Sequence, residues 1–393
     1  MKVITRTIWV LSLVSLFTDI ASEMLYPVMP IYLKSINFSV LLIGVLEGVA
    51  EAIAGLSKGY FGKLSDNKGK RVPYIRLGYT LSALSKPMMA MFTFPLWIFS
   101  ARSLDRVGKG IRTGARDAML SDEATPQTKG RVFGFHRAMD TTGAFLGPAC
   151  ALLFLFYFPG RYKPLFYFAF IPGLVALALT FLIKDKKIQA KTNGVKTYFL
   201  DFIRYWKTSP ELYRKLLVGL LFFTLFNSSD VFLLLKIKEA GVSDMGTIGV
   251  YIFYNVIYAA ASFPLGILAD RLGLKNIFVF GLLAFAVVYA GMGISHDLYV
   301  FFALFFVYGI YAAATEGIAK AWISNICDRK DTATAIGTYT AFQSICTLLA
   351  SSLTGLLWME LGAGATFLII AAATVITAIY IAVAVRKPSA DTH

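Results

Sequence analysis

Apolar residues run through this chain in long stretches separated by short polar breaks. A helix needs about 20 apolar residues to cross a hydrocarbon core. Runs of that length lie near residues 7–31, 40–62, 74–92, 96–116, 131–157, 164–183, 215–235, 246–269, 276–294, 298–322, 333–358 and 364–385, which predicts twelve membrane-spanning helices. The longest polar break, about 184–214, separates six runs from six. The pattern therefore predicts an N-terminal six-helix half over 1–183, a cytoplasmic linker over 184–214 and a C-terminal six-helix half over 215–393. Within the linker, the stretch from Tyr198 to Lys207 mixes aromatic and charged residues. It reads equally well as a short interfacial helix or as a partly ordered tether. The first run opens with Lys2 and Arg6 but has no small-residue cleavage site and carries Asp19 and Glu23, so it reads as a retained span.

Composition agrees with a membrane chain. Of 393 residues, 57% are hydrophobic and 16% charged, against about 45–50% and about 25% for soluble domains. Disorder is excluded, because disordered chains are poor in apolar residues. The net charge is +15, from 38 basic and 23 acidic residues. Nucleic acid would explain that excess in a soluble protein. Here the positive-inside rule explains it. With both termini cytoplasmic, 24 basic residues fall in inner segments and 5 in outer ones. The expected location is the cell inner (plasma) membrane, multi-pass, with no nucleic-acid partner.

Cys150, Cys327 and Cys346 form no CxxC pair, which argues against disulfide, zinc or iron–sulfur chemistry. There is no P-loop, HExxH or Ser-His-Asp set. No enzyme activity, metal or cofactor is expected.

The two halves repeat. Gly62-x-x-x-Asp66-x-x-Gly69-Lys70-Arg71 ends the second run, and Gly266-x-x-x-Asp270-Arg271-x-Gly273-x-Lys275 ends the eighth, an offset of 204. Gly114, Ala118, Ser121 and Gly134 recur as Gly317, Ala321, Ser324 and Gly337 at an offset of 203. Two echoes at nearly one offset indicate a duplicated six-span unit, an architecture found among transporters.

These motifs resemble those of the major facilitator superfamily over essentially the whole chain. The loop Gly62–Arg71 is similar to the signature G-x-x-x-D-R-x-G-R-R, with Asn67 in place of the first basic residue. Arg106-x-x-x-Gly110 is similar to the R-x-x-x-G of the fourth helix. Gly143-x-x-x-Gly147-Pro148 is similar to the start of the antiporter signature, but Ala151 and Leu152 replace its closing glycines. The resemblance implies an all-α membrane protein of twelve helices in two parallel six-helix halves, expected as a monomer. It implies transport by alternating access, with the loop motif latching the halves in the outward-facing state. Gly62, Asp66, Gly69, Lys70, Arg71, Gly266, Asp270 and Arg271 form the expected gating set, with Arg112 and Asp140 added from the inner ends of spans 4 and 5.

Ionisable residues within spans are the markers of function, since each needs a partner or a cavity. Asp19 and Glu23, and again Glu47 and Glu51, lie four apart on one helix face. These four are the expected proton-coupling residues. Arg102, Arg106, Lys86, Asn227, Asp230, Glu316 and Tyr26 are the expected substrate contacts. Lys86, beside Pro87, should face a cavity or a carboxylate, with Glu47 or Glu51 as candidate partner. Arg112, Arg116, Asp117, His136 and Arg137 read as a salt-bridged inner rim, and most aromatics as lipid-facing or packing residues. The expected function is secondary transport of a small organic solute, driven by a proton or sodium gradient. Efflux is favoured over proton-symport uptake of an organic anion, and a non-transporting receptor or scaffold is the further alternative.

Overall fold

A computed structural model describes residues 3–26, 28–29, 32–33, 36–38, 40–185, 198–227, 230–242, 244–295 and 297–385; at 40–49, 51–52, 231, 244–245 and 248 it describes the backbone and not the side chains. The long helices are α1 (Arg6–Glu23), α2 (Val40–Lys68), α3 (Val72–Met91), α4 (Pro95–Glu123), α5 (Lys129–Tyr157), α6 (Tyr162–Thr180), α7 (Glu211–Phe226), α8 (Asp230–Glu239), α9 (Asp244–Leu272), α10 (Leu274–Ile294), α11 (Leu298–Ile326) and α12 (Thr332–Ala384).

Six of the described segments are long and apolar enough to cross a membrane: Lys129–Tyr157, Tyr162–Thr180, Gly249–Leu272, Leu274–Ile294, Leu298–Ile326 and Arg329–Ala384. The last segment turns at Gly362, whose φ of 79° only glycine adopts freely. α4 has the length of a span but fails on polarity, because Arg102, Asp105, Arg106, Lys109, Arg112, Arg116 and Asp117 all lie on it. Two expected spans are interrupted. The first helix stops at Glu23 and passes into turns at 24–26. The run expected over 215–235 breaks at Asn227, where ψ is 88°, and resumes at Asp230.

The chain forms two compact units. The first comprises residues 1–125, 139–205 and 328–341; the second comprises 126–138, 206–327 and 342–393. In the first, α4 packs on α2 and α3, and α6 packs on α1 and α3. In the second, α11 packs on α9 and α10 in the same pattern. Close approach in these pairs depends on glycine. A Cβ on Gly78 of α3 would lie 2.6 Å from the Gly108 oxygen of α4. Phenylalanine, leucine and valine side chains exposed along the helices, such as Phe156, Leu153 and Val287, form the surface that lipid would cover.

The linker is described from Tyr198. A 3-10 turn, Asp201–Arg204, leads into one α-helical turn, Tyr205–Thr208. Phe202 is buried on Gly59 of α2, where its ring lies 2.6 Å from where a Cβ would stand. Lys63 donates to the Asp201 carbonyl at 2.8 Å, and Thr338 donates to the Phe202 carbonyl at 3.3 Å. At the other end, Asp185 accepts from the backbone N–H groups of Arg71 and Val72 at 2.8 and 3.0 Å, capping the N-terminus of α3.

Candidate functional site

Within the first unit, α1 and α4 enclose a cavity of about 390 Å³ lined by Asp19, Ser22, Glu23, Tyr26, Arg102, Asp105, Arg106, Lys109 and Arg112. One wall is acidic because Asp19 and Glu23 stand one helical turn apart on α1. The opposite wall is basic because residues 102, 106 and 109 recur at helical spacing on α4. Tyr26, Arg102 and Arg106, expected as substrate contacts, are all in this lining.

Two glycines of α5 bring the acidic wall into place. A Cβ on Gly143 would lie 2.5 Å from the Leu16 oxygen and 2.9 Å from Asp19 Cβ. One on Gly147 would lie 2.7 Å from the Met24 nitrogen and 3.0 Å from the Glu23 carbonyl carbon. The segment similar to the antiporter signature is thus a packing surface for the turn of α1 that carries both acids. Asp140, one turn before Gly143, consequently stands beside Asp19, close enough for their carboxyl groups to interact. Ser15 Oγ donates to Asp140 Oδ1 at 2.5 Å and accepts from Arg116 Nη1 at 3.0 Å. Arg116 in turn binds Asp117 Oδ1 at 2.9 Å. Asp140, expected in the gating set, therefore stands behind Asp19 at the acidic wall.

Lys86 does face a carboxylate, but it is Asp105. Its Nζ lies 2.8 Å from Asp105 Oδ1 and 3.2 Å from Ser22 Oγ. Arg102 approaches the other Asp105 oxygen at 3.7 Å. One carboxylate thus serves two cations. The side chains of Glu47 and Glu51 lie outside the described residues. Arg112, expected at the gate, lines the cavity instead: Nη1 donates to Ser82 Oγ at 2.5 Å and the guanidinium lies 4.5 Å above the Tyr79 ring.

A second polar cluster lies in the second unit, at the break between α7 and α8. Tyr308 donates to Asp230 Oδ1 at 2.6 Å, and Asn227 Nδ2 donates to the Tyr311 hydroxyl at 3.0 Å. Tyr254 stacks 5.0 Å from Tyr308, which lies 5.2 Å from Tyr311. Arg137 Nε donates to the Tyr258 hydroxyl, and Arg137 Nη2 lies 3.7 Å from Glu316. Asn227, Asp230 and Glu316, expected as substrate contacts, thus fall in one polar cluster. Arg137, read from the sequence as part of the inner rim, joins them, and the tyrosines were legible only as helical spacing, with Tyr251, Tyr254 and Tyr258 on one helix and Tyr308 and Tyr311 on another. Among the described residues no cluster suits a metal ion.

The repeated loop motif has the same geometry twice. In the first unit, Asp66 caps the N-terminus of α12, accepting from Thr334 N and Oγ1, both at 2.6 Å, and from Ala333 N at 3.4 Å. Arg71 Nη1 pairs with Asp66 at 2.5 Å. In the second unit, Asp270 caps the N-terminus of α5, accepting from Gly130 N at 2.7 Å and Arg131 N at 2.9 Å. Gly62 packs on the Ala333 carbonyl, and Gly266 on the Gly130 carbonyl. Gly337 and Gly134, the second echo, complete the two seams: a Cβ there would lie 2.6 Å from the Lys58 oxygen and 2.5 Å from the Ser262 oxygen. Duplicated sequence, duplicated helix caps and an all-helical fold of two matching bundles decide the family.

The family model for the Major Facilitator Superfamily matches residues 11–255 and 235–393. The chain belongs to the major facilitator superfamily. It is 31% identical over 361 residues to an uncharacterised MFS-type transporter of the archaeon Methanocaldococcus jannaschii, covering 90% of this chain and 89% of that one. Its fold matches the crystal structure of the human organic anion transporter MFSD10 with a TM-score of 0.83 at 15% identity, over 96% of this chain and 99% of the other. It matches the superfamily transporter FucP, in the outward conformation, with a TM-score of 0.81 at 11% identity, over 98% and 100% of the two chains. Major facilitator proteins are membrane transporters of small solutes, and this chain is one of them.

Proposed function

We propose that the protein is a proton-coupled secondary transporter that moves a small organic solute by alternating access. The observation that carries this reading is Asp19 in the cavity lining of the first unit with Asp140 directly behind it. Two neighbouring carboxyl groups in a low-dielectric site resist being ionised together, so the pair is suited to carry a proton. Glu23, one turn along, and the cations of α4 give that proton a reason to leave. A positive charge nearby favours the ionised carboxylate, and a second negative charge opposes it. Asp19 and Asp140 exchange the proton, Arg102 and Arg106 orient the solute, and Asp66 and Asp270 act as latches whose helix caps break and re-form in each cycle. Asn227, Asp230, Glu316 and Arg137 form a separate polar cluster within the second unit.

We assign efflux as the direction, with the solute leaving in exchange for protons. The packing of Gly143 and Gly147 against the acidic turn of α1 supports this, since it gives the antiporter-like segment a direct hold on the proton site. We further place the protein in the cell inner membrane as a monomer with cytoplasmic termini.

The test is transport in proteoliposomes under an imposed pH gradient. Wild-type protein should drive solute movement that collapses when a protonophore is added. Asp19→Asn, which keeps the size but cannot cycle a proton, should lose the pH-driven component while retaining solute exchange. Unchanged pH-driven transport in Asp19→Asn would refute the coupling.

A further inference from the structure

We infer that the solute is a compact organic anion, bearing a carboxylate or phosphate, and that Arg112 with Lys109 receives its charged group. The inference rests on the transporter reading above and names the chemistry of its cavity.

The argument starts from the charge inventory of the lining. Lys86 and Arg102 both meet Asp105, so their charges have a counter-ion. Asp19 and Glu23 face the cavity from α1, and Asp140 stands behind Asp19. Arg112 differs from Lys86 and Arg102. Its residue is only 4% exposed, yet among the described residues it makes no ion pair. Its neutral contacts are the Ser82 hydroxyl and the face of Tyr79. Its Nε is buried with no hydrogen-bond partner. A buried guanidinium without a carboxylate is expensive to maintain unless something else neutralises it.

Geometry shows that this arrangement is held in place. Gly78 of α3 packs directly on Arg112, and a Cβ there would lie 2.7 Å from Arg112 Cβ and 2.9 Å from its nitrogen. That approach places Tyr79 and Ser82 of the same helix on the guanidinium. Tyr79 occupies the ring face and Ser82 the terminal nitrogen Nη1, which leaves the other terminal nitrogen, Nη2, for an oxyanion. Lys109, an exposed residue three positions earlier on the same face of α4, lines the same cavity. A fork and a point charge on one helix face form an anion clamp. The cavity volume of about 390 Å³ suits a solute of small-metabolite size. The acidic wall opposite disfavours a second anionic group there while the carboxyls are ionised. This gives a physical link between proton release and anion release.

The experiment is thermal-shift titration of purified protein with malate, citrate, sn-glycerol 3-phosphate and 3-phosphoglycerate, beside tetraphenylphosphonium and xylose as cationic and neutral probes. A ligand of the folded state raises the melting temperature. At least one of the four anions should do so with wild-type protein. Arg112→Gln should weaken that anion at least tenfold, and Arg112→Lys, which keeps charge but loses the fork, should fall between. Gly78→Ala, which displaces Arg112 without removing it, should also weaken it. Stabilisation by the cation or the sugar alone, no response to any of the four anions, or equal anion affinity in Arg112→Gln overturns the inference. The proton reading is scored separately. An anion that binds through Arg112 but moves independently of the pH gradient sinks the coupling and leaves the anion site standing. A pH-driven flux of the cation or the sugar does the reverse.

Discussion

Asp66 and Thr334 are 268 residues apart in sequence, and the Asp66 carboxylate accepts both the backbone N–H and the side-chain O–H of Thr334 at 2.6 Å. A carboxylate at a helix N-terminus satisfies donors that the helix itself leaves open and meets the positive end of its dipole. Hydrogen bonds to a charged group contribute about 1.5–3 kcal/mol, roughly twice the neutral value. Asp66→Asn keeps the shape and one acceptor oxygen but loses the charge. It should destabilise the protein by about 1–2 kcal/mol and slow turnover several-fold. In a double-mutant cycle with Thr334→Ala, read by thermal unfolding, coupling of about 0.5–3 kcal/mol is expected. Additive effects would show that the two residues do not act as a pair.

The Asp270 cap should matter less. It makes two backbone hydrogen bonds, and its nearest cation, Arg131, lies 3.9 Å away and is partly exposed. Asp66 has in addition the Thr334 hydroxyl and a 2.5 Å pair with Arg71, whose side chain is almost fully buried. Asp270→Asn should therefore lower the melting temperature by less than Asp66→Asn. Equal losses would mean that the two caps are energetically as well as geometrically equivalent.

Lys86 and Asp105 give a sharper test, because both are buried and each is costly alone. Removing one partner of such a pair strands a charge, which costs about 3–5 kcal/mol, whereas replacing both by apolar residues of similar volume is close to neutral. Lys86→Met should therefore be strongly destabilising. Lys86→Met with Asp105→Leu should recover most of the loss in thermal stability while abolishing transport. Arg102, which shares Asp105, limits the recovery. A double variant less stable than either single variant would contradict the pairing.

What the chain revealed in advance and what it concealed divide along a physical line. The latch residues Asp66 and Asp270 were legible because duplication printed them twice at a nearly constant offset, and an acid at the inner end of a helix has few possible duties. The acids of α1 were legible because i,i+4 spacing on an apolar helix forces them onto one face. Partners between helices were not legible. Lys86 could be paired on paper with Glu47 or Glu51, and its actual partner, Asp105, was hidden among nine charged residues of α4. Asp140 was placed with the gate because only depth along its own helix could be read. The glycine contacts that turn it toward Asp19 exist only once α5 packs on α1. The tyrosines around Asp230 were missed for a related reason, since aromatic residues are so abundant here that helical spacing alone did not mark them.

Phe202 ties the linker to the same seam that the Asp66 latch uses. It rests on Gly59 of α2, its carbonyl accepts from Thr338 of α12, and Gly337 meets Lys58 and Gly59 beside it. Phe202→Ala empties a buried site, and truncating a buried phenylalanine costs about 3–5 kcal/mol in well-packed cores. A lower melting temperature is expected, together with faster proteolysis of the linker. Gly59→Leu should reproduce both effects from the opposite side by evicting the ring. If linker cleavage is unchanged in both variants, the ring does not anchor the linker.

Gly143 provides the test that links packing to function. A Cβ there would meet the Leu16 carbonyl at 2.5 Å and Asp19 Cβ at 2.9 Å, and neither is the free end of a flexible chain. Alanine must therefore push α1 outward at the turn that carries Asp19. That shift separates the carboxyl groups of Asp19 and Asp140, while the cations of α4 are untouched. Displacing a reacting group by about 1 Å can reduce a rate about a hundredfold. Gly143→Ala should thus cut pH-driven transport by at least tenfold and leave anion binding near the wild-type affinity. Gly147→Ala, whose Cβ would meet Met24 N at 2.7 Å, should act more on Glu23 than on Asp19. Gly249→Ala is the control, because nothing lies within 4 Å of the added carbon. Wild-type pH-driven flux in Gly143→Ala would show that the carboxyl pair tolerates displacement, and the proton would then have to be carried elsewhere.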